Sequence, residues 1–267
     1  MEKKRSLIQV DHVHKYVNSK IGRAWPISSL FLDPLPILAI RNQNDCNTAD
    51  SPFFWGNNAN LTYAIHVAIP LLARWKALRT NRKGGQQTLK DGLNAKAPSI
   101  LLRFQNQARD LGTRRLSDVK PNQSYYGNFL VAAANAASII SELKKVETPM
   151  IGSKFMHFFI PELFPVWDTA VIENECLKNE ELPPLPETVK NELQTKAGKS
   201  YAQYVHFLVT EHSQASSAQR TEVLNACIQQ CADEYDADVN EMGNVLYFHC
   251  DDLWPTVLEI CLIGKHR

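Results

Sequence analysis

Residues 148–171 read TPMIGSKFMHFFIPELFPVWDTAV, and the reading of this stretch decides the fold. A glycine turn opens a short apolar helix that carries one lysine, Lys154, near its start. Pro161 and Pro165 end that helix, because proline supplies no N–H and clashes with the carbonyl four residues back. Beyond them a lone aspartate, Asp168, stands between Trp167 and a run of small and β-branched residues. Two charges in so apolar a segment are either incidental to a piece of core or an amine and a carboxylate set out for chemistry. The bland reading makes Asp168 the N-cap of a helix that begins at Thr169, and Lys154 an ordinary helical lysine.

Working outward, YYGNFLVAAANAASIISELKKV (125–146) is the clearest helix, with a small-residue face that allows close packing. LTYAIHVAIPLLARWKAL (61–78) has helical periodicity, which Pro70 is expected to kink or break. TNRKGGQQTLKDGLNAKAP reads as a basic, glycine-containing loop, and SILLRFQNQARDL as a helix capped by Ser99. Downstream, LKNEELPPLPETVKNEL is the best internal break, and SYAQYVHFLVTEHS and SSAQRTEVLNACIQQCADEY read as helices. The tail VLYFHCDDLWPTVLEICLI fits a strand or a final helix. The expected architecture is all-α or mostly α, with two helical subdomains flanking a cleft. It divides as 1–120, a basic helical region, 121–180, which holds the opening stretch, and 181–267, a C-terminal helical region, in one two-lobed unit.

Of 267 residues, 44% are hydrophobic and 21% charged, enough apolar surface for a sizeable core. No apolar run approaches the ~20 residues that span a bilayer, and no apolar segment follows the charged MEKKRSLIQVDHVHKY, so a cytoplasmic protein without membrane partners is expected. Six scattered cysteines, of which Cys227 and Cys231 are nearest, lack the paired short spacings of a zinc or iron–sulfur site. Neither a metal nor another cofactor is expected. Charge is lopsided: residues 74–120 hold twelve Lys or Arg against three Asp, a balance of +9, and residues 173–260 a balance of −11. The basic stretch is either a solvated face or a surface for phosphates. SPFFWGNNANLT (51–62) is either a turn with an aromatic anchor or a loop that stacks on or wedges beside a base, through Phe54, Trp55 and Asn57.

Helix, TPMIGSK, helix and PVWDTAV, in that order, resemble the helix–hairpin–helix DNA glycosylases related to endonuclease III and 8-oxoguanine glycosylase. Pro149, Ile151, Gly152 and Lys154 fall on that family's hairpin pattern, and Asp168, Thr169 and Val171 on its aspartate segment. The likeness covers 137–171. Met150 replaces a hairpin glycine, Ala170 a polar residue, the lysine–aspartate gap is about one helical turn short, and the iron–sulfur cysteines are absent. The resemblance implies a monomeric enzyme that flips a modified base out of double-stranded DNA and excises it, with Lys154 as nucleophile and Asp168 as assisting carboxylate. It implies phosphate contacts at Met150, Ile151, Gly152 and Ser153, where Gly152 permits a positive φ and backbone N–H groups face an anion. His157, on the face of Lys154, is a pocket residue or a packed one. The alternatives are a DNA-binding module without catalysis and a helical protein-interaction domain.

Overall fold

The computed structural model describes residues 6–42, 58–78, 85–111, 115–141, 149–250 and 252–267. Helices make up the architecture, and no strand occurs among the described residues. The N-terminal part comprises α1 (Val10–Asn18), α2 (Lys20–Ala24), α3 (Ile27–Leu32), α4 (Leu35–Asn42), α5 (Asn58–Arg74) and α6 (Gly85–Leu111). The centre holds α7 (Tyr126–Ser141) and α8 (Met150–Phe159), followed by a π-helix at Thr169–Cys176. The remainder is α9 (Glu187–Glu192), α10 (Lys196–Gln214), α11 (Ser217–Tyr235), α12 (Val239–His249) and α13 (Trp254–Lys265).

Three local expectations are corrected. Of the kink or break expected at Pro70, the break does not occur, and α5 runs through it. Pro70 and His66, whose carbonyl loses its partner to the proline, are both exposed on one helix face, so water can take that carbonyl. The basic segment from Gly85 onward is helix rather than loop, and α6 continues through Pro98. Leu89, Leu93, Ala97, Leu101 and Phe104 are buried at helical spacing on both sides of the proline, and this continuous apolar stripe outweighs one lost hydrogen bond. Ser99 is therefore an interior residue, its hydroxyl donating to the Lys96 carbonyl at 2.9 Å, and not a cap. The tail resolves into two helices. Asp238 caps α12 through the N–H groups of Asn240 and Glu241, and Pro255 sits in the first turn of α13 where its missing N–H costs nothing.

One apolar core runs from Leu7 to Ile263, with α1 against α13, α7 against α8 and α10, and α6 against α7. The small-residue face of α7 does what its composition predicts. A Cβ built on Gly152 of α8 would lie 1.6 Å from the Ala137 carbonyl oxygen of α7, so the two backbones touch there. Every residue of α8 from Ile151 to Phe159 is buried, which makes it the central helix and places Lys154 inside the molecule. No helix of the described residues is long and apolar enough to cross a membrane.

Candidate active site

The site is assembled on the short extended segment that follows α8. The helix stops at Phe159, whose carbonyl accepts from Arg41 Nη1 at 3.2 Å, while the Arg41 guanidinium also pairs with buried Glu162 at 2.6 Å. Residues 164–168 then cross the core side by side with polar partners at each step. The Phe164 carbonyl accepts from His157 Nδ1 at 2.7 Å and the Pro165 carbonyl from the Tyr201 hydroxyl at 2.8 Å. The Val166 N–H donates to Glu259 Oε2 at 3.2 Å and the Trp167 N–H to Ser153 Oγ at 2.9 Å. Buried backbone must find partners, and here four buried side chains supply them. The aspartate at the end of the segment is thereby fixed against α8.

Lys154 Nζ lies 3.1 Å from Asp168 Oδ2. The same nitrogen donates to the Trp75 carbonyl at 3.2 Å and stands 5.4 Å from the centre of the Trp25 ring. The Lys154 side chain is 4% exposed and that of Asp168 30%, so the carboxylate is the member of the pair that meets solvent. Asp168 divides its oxygens: Oδ1 accepts from the N–H groups of Ala170 and Val171 at 3.0 and 3.2 Å, capping the π-helix, and Oδ2 takes the lysine. The N-cap reading and the ion-pair reading of this residue hold together. Burial pushes the Asp168 carboxyl up, but the Lys154 ammonium and the two capping N–H groups outweigh it and hold the carboxyl below its ordinary value.

Trp75 presents its carbonyl because of how α5 ends. The Lys76 N–H bonds the Ala73 carbonyl and the Ala77 N–H the Leu72 carbonyl, with Lys76 left-handed at φ 57°, the pattern of a Schellman cap. The carbonyl of Trp75 is left over and turns to Lys154. Its indole Nε1 donates to Asp33 Oδ2 at 2.6 Å, and Asp33 also pairs with Arg74.

Lys154 and Asp168 line one cavity of about 50 Å³, together with Glu259, Tyr16, Trp25 and Trp75. That volume holds a few waters. Ile21 and Trp25, from α2 and its end, form part of the wall. Glu259, from the middle of α13, is absent from any reading of the sequence. Its carboxyl is pushed up to about 8, chiefly by burial, with the Val166 N–H and Lys154 working against the rise and Asp168 adding to it. The sequence carries no sign of this, since α13 is apolar on every face around it.

The other expected site residues fall elsewhere. Met150 is half-buried and Ile151, Gly152 and Ser153 are buried, so the Ile151 and Ser153 side chains are turned to the core. Gly152 lies inside α8 without a positive φ, and what it admits is the α7 backbone. Ser153 serves the Trp167 N–H instead. His157 is buried behind the extended segment, beside Trp75 with ring centres 5.9 Å apart, and does not line the cavity. Burial holds its imidazole below the usual value, against a hydrogen bond that favours the charge. Phe54, Trp55 and Asn57 lie outside the described residues. No group of three or more His, Cys, Asp or Glu that could hold a metal ion occurs among the described residues. No family model, curated protein or solved structure matches the chain.

Proposed function

We propose that this protein is a DNA glycosylase that excises a modified base from double-stranded DNA, with Asp168 and Lys154 at the reacting sugar. The observation that carries the reading is the amine and the carboxylate 3.1 Å apart on one cavity, one buried and the other partly open. Breaking the bond between base and sugar builds positive charge on the sugar, and a fixed carboxylate at that place stabilises it. A carboxyl held below its ordinary value stays ionised for this purpose and is a weak proton acceptor. Lys154, buried on three partners, becomes a nucleophile once an entering sugar separates it from Asp168 and its proton passes to water. Attack at C1′ expels the base, and opening of the C1′–O bond of the sugar ring then gives a Schiff base from which the strand can be cleaved.

Support for a module that grips DNA through Met150–Ser153 alone is weaker, because three of those four residues are buried. The test is base release from duplexes that carry oxidised, alkylated or deaminated bases. The wild-type chain is expected to release at least one of them, and Asp168→Asn to slow that release by 100-fold or more, in the range of about 10²–10³ seen for loss of one electrostatic group. Release unaffected by Asp168→Asn would remove Asp168 from the reaction, and no release from the whole panel would remove the reading.

A further inference from the structure

Glu259 is a costly residue for its position. It is 5% exposed, in the middle of a helix whose residues from Trp254 to Gly264 are all buried. Its one hydrogen bond is from the Val166 N–H, and it has no ion pair among the described residues. A glutamine would accept the same N–H and cost less to bury. A carboxyl differs from that amide in one chemical respect: it holds a proton that can leave.

The groups around it do not compete for that role. Tyr16 from α1, Tyr201 and Tyr204 from α10 and Cys176 from the π-helix all feel its charge, and burial pushes each of them up, out of the neutral range. Tyr16 and Tyr201 already donate to the carbonyls of Trp25 and Pro165, at 2.6 and 2.8 Å. Lys154 is engaged by Asp168 and the Trp75 carbonyl, and Asp168 is ionised. Among the cavity's groups, Glu259 is the one that carries an acidic proton at neutral pH.

We propose that Glu259 is the acid of this cavity, which protonates the departing base and then moves a proton within the Lys154–Asp168 site. The inference rests on the glycosylase reading. Lys154, as free amine, bonds to C1′ while the bond from C1′ to the base nitrogen breaks. The electron pair of that bond goes to the base nitrogen, and the Glu259 proton follows it. The Glu259 carboxylate next takes a proton from the secondary ammonium formed on Lys154. It passes that proton to the ring oxygen as the C1′–O bond opens to the Schiff base, and regains its own from solvent.

The experiment compares the wild-type chain with Glu259→Gln and Glu259→Asp in single-turnover base release between pH 6 and 9.5, and in binding to a duplex bearing a tetrahydrofuran abasic analogue. Glu259→Gln is expected to release base about 100-fold more slowly at pH 7, the lower end of what acid–base groups contribute. It should lose the alkaline fall expected of the wild type near pH 8 and bind the abasic duplex as the wild type does, with part of the rate restored in Glu259→Asp. Wild-type rates in Glu259→Gln with the alkaline fall intact would overturn the proposal. The second readout is the carboxyl ¹³C titration of Glu259, which needs no substrate. Its midpoint is expected near 8, higher in Lys154→Met and lower in Asp168→Asn. Should no duplex yield a base, the glycosylase reading falls by itself, and the titration still decides Glu259. A midpoint near the ordinary 4.5 that ignores both substitutions overturns its place in the site, and a coupled midpoint near 8 upholds Glu259 as the buried acid beside the pair.

Discussion

Ser153 and Asp168 show how much of the site is set by single atoms. The Trp167 N–H is buried and its acceptor is the Ser153 hydroxyl. Ser153→Ala leaves that donor without a partner, at about 1–3 kcal/mol, and loosens the residue next to Asp168. Urea denaturation should show the loss, and a change below about 0.5 kcal/mol, the scatter of neutral substitutions, would mean that Trp167 finds another acceptor. Asp168→Asn keeps an oxygen for the capping N–H groups but loses the charge that faces Lys154. Because the folded carboxyl lies below 3.8, its contribution is present above that pH and lost as pH falls below it. The wild type should therefore lose stability relative to Asp168→Asn on going from pH 7 to pH 3. Lys154 and Asp168 were legible in the sequence because both lie in one unbroken stretch, where a single charge among apolar residues is conspicuous. Glu259 was not: its contact with the segment joins residues 93 apart in the chain, and only folding brings them together.

At the scale of elements, the crossing of α7 and α8 sets the position of the lysine. Gly152 meets the Ala137 carbonyl where any Cβ would fall at 1.6 Å. Gly152→Ala must push the two helices apart, at a cost on the order of 3 kcal/mol or more, and it carries Lys154 away from Asp168. Thermal unfolding and base release should fall together in this variant, and a stable, active Gly152→Ala chain would contradict the crossing. The end of α5 offers the opposite sign. Lys76 occupies the left-handed position that glycine fills at least cost, so Lys76→Gly is expected to stabilise by about 1 kcal/mol. Most helices were legible from periodicity and caps, as α7, α10 and α11 show. The half of α6 before Ser99 was not, because glycine and proline punctuate it, and its buried stripe is recognisable only once Leu89 and Phe104 are assigned to one face. α13 was ambiguous for the reverse reason: a helix buried all round has no polar face to reveal its period.

For the molecule as a whole, one core joins the chain's beginning and end, and the candidate site draws on both. The cavity takes Tyr16 from α1, Lys154 from α8 and Glu259 from α13, so its geometry depends on global folding rather than on a local motif. Stability should follow pH accordingly. Glu259 titrates at 4.5 when unfolded and about 8 when folded, so between those values the folded chain keeps a proton that the unfolded chain has lost. Stability then falls as pH rises through that window, by at most about 1.4 kcal/mol per pH unit. Asp252, pushed up to about 6 mainly by burial, adds the same sign between 3.8 and about 6. Urea denaturation of Glu259→Gln should show a flatter profile from pH 6 to 8 than the wild type, and parallel profiles would contradict the buried acid. The central claim, that Lys154 and Asp168 form one reacting site, is tested most directly by borohydride reduction on lesion-containing duplex, with mass spectrometry locating the adduct. The account predicts a covalent link at Lys154 that is absent in Lys154→Gln. An adduct on another residue, or none from a duplex whose base is released, would contradict Lys154 as the nucleophile.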